Sequence, residues 1–159
     1  MEQLARSVGQ RLKAANALLV TAESCTGGWA AQVVTSVAGS SEWFERGFVT
    51  YSNAAKQELL GVRAETLQRH GAVSEETARE MALGALTRSR GTVALSITGV
   101  AGPGGGSRDK PVGTVCFAWA RSGGGMKSQT LHLTGDRESV RKQSVVHALA
   151  GVLKALDGG

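Results

Sequence analysis

TVALSITGVAGPGGGSRDKPVGTVCFAWA, residues 92–120, decides the fold. It holds two apolar runs, 92–99 and 113–120, each reading as a buried strand. Between them lie glycines, Pro103, Pro111 and charged residues, with no helical pattern. Parallel neighbours need a long crossover, usually a helix, whereas a plain loop returns the chain alongside itself. The strand at 113–120 is therefore expected to run antiparallel to the one at 92–99.

Upstream the connections differ. ALLVTAE, 17–23, and FERGFVTYS, 44–52, read as the first two strands. Helical patterns separate them from each other and from 92–99: WAAQVVTSV at 29–37, AAKQELLGV at 54–62, and VSEETAREMALGALTRSR at 73–90. Those three strands are expected to pair in parallel. SGGG, 122–125, turns the chain into a fifth strand, MKSQTLHLT at 126–134. The result is a three-layer α/β/α sandwich on a mixed five-stranded sheet. Its expected order is 2-1-3-4-5 with strand four antiparallel, because the long apolar first and third strands belong in the centre.

An amphipathic helix opens the chain, with Leu4, Val8, Leu12 and Ala15 along one face. Another closes it, starting near Asp136 and burying Val145, Leu149, Val152, Leu153 and Leu156. Ser74 and Asp136 read as helix N-caps. Neither an internal repeat nor a domain boundary appears, so residues 1–159 read as one domain, in a stand-alone form with no second domain fused.

Bulk properties exclude several classes. The 159 residues are 42% hydrophobic and 19% charged, and no apolar run approaches the roughly 18–20 residues that cross a bilayer. The N-terminal MEQLARSVGQRLKAA lacks a signal-peptide core, which predicts a cytoplasmic protein with no membrane partner. Cys25 and Cys116 show no CxxC spacing, and His70, His132 and His147 show no HxxxH pattern, so no metal and no disulfide framework are expected. The net charge of +5 suits an anionic small molecule. Aromatics at 4% and the lack of a long basic run argue against nucleic acid. Trp43 and Phe44 fit either a contact in a homo-oligomer or the core.

In open α/β sheets ligands bind beyond the carboxyl ends of the strands, where the strand order reverses. Here that point lies between strands one and three. It gathers three stretches. TAESCTGGW, 21–29, offers Ser24, Cys25 and Thr26 before two glycines. Taken alone it is a capped strand-to-helix turn with Thr26 as N-cap; its N–H groups are also suited to an oxyanion. TYSNAAK, 50–56, brings Tyr51 and Lys56. A lysine in a partly dry site has a lowered pKa and can serve as the base a serine needs. The plain alternative is a helix capped by Ser52 or Asn53 with Lys56 in solvent. TGVAGPGGGSRDKPVG, 98–113, offers a glycine nest for an anion after Thr98 and Gly99, and its GGGSRDK portion reads as a mobile hairpin loop. It lacks the GK[ST] of a Walker A loop. A fourth stretch, TGDRESVRKQ at 134–143, puts Arg137 near the same edge, while Arg141 and Lys142 read as a basic solvent face.

Together these segments resemble the CinA C-terminal domain family, whose active members are nicotinamide-nucleotide amidohydrolases. The resemblance rests on AESCTGG, GSSEWFERGFVTYSNAAK, HGAVSEETA, SITGVAGPGGGS, KPVGTV and GDRESVR, in order along nearly the whole chain. It implies hydrolysis of the carboxamide of nicotinamide mononucleotide to nicotinate mononucleotide and ammonia, in pyridine nucleotide recycling, without a cofactor. It implies Ser24 as nucleophile, Lys56 as general base and Tyr51 as their aid. Ser41, Thr98 and Arg137 are implied as further site positions, and Thr26 and Gly99 join them as substrate contacts. Two rival readings stand beside it. One makes Cys25 the nucleophile, activated at a helix N-terminus. The other is a catalytically silent pyridine-nucleotide-binding or interaction module of the same fold.

Overall fold

The computed structural model describes residues 1–158; Gly159, the last residue of the expected domain, lies outside them. The elements run α1 (Glu2–Ala14), β1 (Leu19–Glu23), α2 (Trp29–Thr35), β2 (Phe44–Val49), α3 (Asn53–Leu60), α4 (Ala64–His70), α5 (Glu75–Thr87), β3 (Val93–Gly99), β4 (Thr114–Arg121), β5 (Met126–His132) and α6 (Arg137–Leu156), with a 3-10 turn at Ser40–Glu42. The sheet order is β2-β1-β3-β4-β5. β1 pairs in parallel with β2 and β3, and β4 is antiparallel to both β3 and β5. The loop reading of 100–112 thus fixes the strand direction as expected.

The two faces of the sheet are built differently. Leu19, Leu95, Ile97, Val115, Phe117 and Trp119 pack under α1, α2 and α6. The alternate residues Ala22, Ala94, Ser96, Ala118 and Ala120 are small and lie under α5, whose own face is Ala78, Ala82 and Ala85. Strand residues alternate between faces, so the large side chains of the central strands gather on one layer and mostly small ones, with Val20 the exception, on the other. The small layer draws α5 close, and Ser96 Oγ donates to Ala78 O at 2.6 Å. α5 is as close to α3: a Cβ on Gly84 would stand 1.9 Å from Leu60 O. That contact holds α3 in place, and α3 carries Lys56.

Boundaries and caps follow local chemistry. Ser52, Ser74 and Asp136 each accept a main-chain N–H three residues on, from Ala55, Thr77 and Ser139. β2 ends at Val49, so Tyr51 lies in the loop beyond rather than in the strand. α4 is an addition to the expected elements. Trp43 is 4% exposed and packs against Gly9, so this aromatic belongs to the core and offers no surface to a second copy. The loop reads as less free than expected at one point: Ser107 N donates to Lys110 O, and Lys110 Nζ reaches His70 O. No helix among the described residues is long and apolar enough to cross a membrane.

Candidate active site

The parallel ladder brings the ends of β1, β2 and β3 level, with Glu23 opposite both Val49 and Ile97. The rung is extended once on each side. Ser24 N donates to Ile97 O at 2.9 Å, and Thr50 N donates to Glu23 O at 2.8 Å. Ser24 therefore stands directly beyond the sheet edge, and the loop carrying Tyr51 begins beside it. A cavity of about 270 Å³ opens there, lined among others by Ser24, Cys25, Tyr51, Lys56, Thr98 and Arg137.

Lys56 Nζ lies 2.9 Å from Ser24 Oγ, 2.8 Å from Thr50 O and 3.5 Å from Tyr51 O. The lysine is 1% exposed and is paired with no carboxylate among the described residues. Burial penalises its ammonium form and lowers the pKa to about 8, with the neighbouring Cys25 pulling slightly the other way. Roughly a tenth of the molecules thus carry a neutral amine here at pH 7, against well under a thousandth for an ordinary lysine, with its lone pair available to the Ser24 hydroxyl.

Cys25 presents the opposite case. It is 6% exposed, and burial pushes its thiol up to about 11. Nor is it at a helix start: α2 begins at Trp29, capped by Gly28 in the left-handed region at φ 104°. A protonated, buried thiol is a poor nucleophile, which weighs against the Cys25 reading although the residue lines the cavity.

The start of α2 belongs to Glu23. This fully buried carboxylate accepts Thr26 Oγ1 at 2.6 Å, Ala30 N at 2.9 Å and Ala31 N at 3.1 Å. It supplies the first-turn acceptor expected of Thr26, while Gly28 holds the N-cap position, and Thr26, fully buried, serves the carboxylate rather than the cavity. The signal was present in ALLVTAE: a lone charge in an apolar strand must find donors if it is buried. By pinning Thr26 and α2, Glu23 sets the turn that presents Ser24. The N–H groups of Cys25 and Thr26 within that turn take no main-chain acceptor among the described residues, and the Cys25 N–H lies against its own thiol.

The remaining expected positions divide. Thr98 lines the cavity, although its hydroxyl donates to Ala72 O at 2.8 Å. Gly99 lines it too, and a Cβ there would meet Thr114 O at 2.9 Å. Arg137 spans the mouth, donating to Gly102 O at 2.8 Å and to the Tyr51 hydroxyl at 3.3 Å. Tyr51 is 64% exposed, so its phenol is a rim group, and it meets Lys56 through its main chain. Ser41 is not brought to the cavity. It is exposed in the 3-10 turn before β2, at the end of that strand opposite Tyr51. Arg141 corrects the solvent-face reading: it donates to Cys25 O at 3.1 Å and Thr26 O at 3.2 Å, and lies over the Trp29 ring at 5.3 Å. It thereby grips the Ser24 turn from outside. Among the described residues no three His, Cys, Asp or Glu side chains converge as a metal site.

This geometry can be set against known proteins. The family model of the CinA C-terminal domain matches residues 1–156. The chain belongs to the CinA C-terminal domain family. Nicotinamide-nucleotide amidohydrolase PncC of Escherichia coli (strain K12) is 58% identical over 147 residues, covering 92% of this chain and 89% of that protein. The Pseudomonas putida protein of that name is 49% identical over 151 residues, covering 95% and 94%. Among solved structures, competence/damage inducible protein CihA from Agrobacterium tumefaciens superposes with a TM-score of 0.94 at 46% identity, covering 98% of this chain and 94% of that one. A CinA superfamily protein from Klebsiella pneumoniae gives 0.95 at 41% identity, covering 99% and 98%.

Proposed function

We propose that this CinA-family chain is a serine amidohydrolase that converts nicotinamide mononucleotide to nicotinate mononucleotide and ammonia, within pyridine nucleotide recycling. The observation that carries the reading is the 2.9 Å approach of Lys56 Nζ to Ser24 Oγ, with the lysine buried and its pKa near 8. The names of the amidohydrolase relatives supply the substrate.

In the proposed reaction the neutral Lys56 takes the proton of Ser24 as Oγ attacks the carboxamide carbon. The N–H groups of Cys25 and Thr26 receive the oxyanion; one such donor typically contributes about 3–4 kcal/mol to the barrier. The Lys56 ammonium then returns its proton to the departing nitrogen, ammonia leaves, and an ester to Ser24 remains. Water attacks this ester, Lys56 takes the water's proton and passes it to the Ser24 oxygen as the acid product leaves. Tyr51 and Arg137 stand at the rim, where they can close over the nucleotide. The anionic substrate suits Arg137 and the glycine-lined wall after Thr98 and Gly99.

Ammonia release from the mononucleotide, its nucleoside and free nicotinamide tests the reading. Ser24→Ala and Lys56→Ala should each lower kcat by at least about a thousandfold, the scale at which a nucleophile or its base acts. Near-wild-type turnover in either variant overturns the dyad. Tight binding of the mononucleotide with no ammonia from the unaltered protein would favour a silent binding module.

A further inference from the structure

α6 and the edge strand β5 enclose a second cavity, of about 540 Å³. It lies level with the amino half of β3, since Trp119 pairs with Leu95 and Lys127 with Trp119. Ser24, by contrast, stands beyond the carboxyl end of β1. The groove exists because α6 packs over β3 and β4 and leaves β5 without a covering helix on that face. Ser128 and Thr130 point to the other face, where both donate to Glu75. Strand alternation therefore turns Lys127 and Gln129 toward α6.

Its floor is apolar. Trp119 anchors it, with Nε1 donating to Ala148 O at 2.9 Å, and Ala150 and Ala155 extend it. α6 lies against the indole at Gly151, where a Cβ would stand 2.1 Å from Trp119 Cε2. One wall is fixed by His147, whose Nε2–H donates to Gln129 Oε1 at 2.9 Å. The rim is cationic: Arg121, Lys127 and Lys154 line the groove, and no Asp or Glu does. None of the three joins an ion pair among the described residues.

An apolar concavity of several hundred Å³ with a few convergent polar groups is the usual form of a small-molecule site. Uncompensated positive charge beside it selects the sign of the ligand. We propose that this groove binds an amphipathic organic anion, with its apolar body against Trp119, Ala150 and Ala155. Its carboxylate, sulfonate or phosphate sits between Lys127 and Lys154. The site is separate from the catalytic cavity and does not depend on the amidohydrolase reading.

Anilinonaphthalene sulfonate is the probe, followed by its own fluorescence and by that of tryptophan, with phenylnaphthylamine as its uncharged counterpart. The sulfonate should bind one per chain and lose affinity by roughly 3- to 30-fold in Lys127→Ala/Lys154→Ala, the range expected for two exposed charge contacts. The uncharged dye should bind both proteins alike. Both lysines are exposed, so the double variant should melt with the wild type. Equal sulfonate affinity in wild type and double variant overturns the proposal. So does displacement of the dye by nicotinamide mononucleotide in a Ser24→Ala background, which would put the dye in the catalytic cavity. Loss of dye sites as protein concentration rises, with dimers in sedimentation, overturns it in favour of a second copy of the chain.

Discussion

The main-chain oxygen of Thr50 stands 2.8 Å from Lys56 Nζ, opposite in role to Ser24 Oγ at 2.9 Å. A carbonyl oxygen only accepts, so it holds an N–H of the lysine in either charge state. Tyr51 O, at 3.5 Å, offers the second N–H a weaker acceptor. A neutral amine has two N–H bonds and one lone pair. With both N–H groups drawn toward carbonyls, the lone pair is left facing the serine hydroxyl.

The first expectation concerns pH and rate. As the proposed base Lys56 is competent only when neutral, and burial lowers its pKa to about 8. Below that value kcat/KM should fall tenfold per pH unit, and above it should level off. An initial-rate series from pH 6 to about 9.5 measures it. A flat profile across this window would remove the lysine from the proton transfer.

Stability should depend on the same group with a definite sign. The folded protein disfavours the Lys56 ammonium, so between about 8 and the ordinary lysine value of 10.5 the unfolded chain binds more protons. Stability contributed by this residue therefore rises with pH through that window. At pH 7 the shift corresponds to a cost of about 3 kcal/mol. Lys56→Met removes the buried charge at similar length. It should unfold at higher denaturant concentration than wild type at pH 7 while being inactive, and the gap should narrow by pH 10.

Glu23 gives a prediction that separates position from binding. Glu23→Gln keeps the oxygen that serves Thr26 and Ala30 but turns an N–H₂ toward the N–H of Ala31, which the second carboxylate oxygen now accepts. The loss of charge-assisted hydrogen bonds should cost about 1.5–3 kcal/mol of stability. Because the turn bearing Ser24 loosens, kcat should drop more than KM rises, by roughly tenfold or more. Glu23→Asp should recover part of the rate. An unchanged kcat at full folding would make Glu23 a helix cap and nothing more.

Much of this architecture is legible in the chain because loop chemistry is local. The absence of a helix between 99 and 113 is enough to reverse β4, and the reversal point then names the edge where Ser24 and Lys56 meet. α4 is different. AETLQRH buries only Thr66 and Leu67, and it is held by Glu80, which accepts Thr66 Oγ1 and the N–H of Arg63. A partner fourteen or more residues away leaves no local pattern. Arg141 was opaque for a related reason: its spacing from Arg137 marks a helix face, but only the packing puts the carbonyls of Cys25 and Thr26 opposite it. Glu23 reads as the last residue of a strand, and its role stays hidden there because its three donors come from the segment that follows, once α2 has folded back.

The hydrogen bond from Thr50 N to Glu23 O has a consequence for tolerance. It is the last main-chain tie between the two segments that carry the proposed dyad, and it falls one residue before Ser24 on one side and six before Lys56 on the other. The two loops are therefore indexed to one another by the sheet, like two hands of a clock on a common spindle. Insertions or substitutions in the glycine-rich rim can reshape what enters the cleft without altering the interval between nitrogen and oxygen. Changes that slip the β1–β2 register by a residue would turn Lys56 away while every side chain of the pair remained intact.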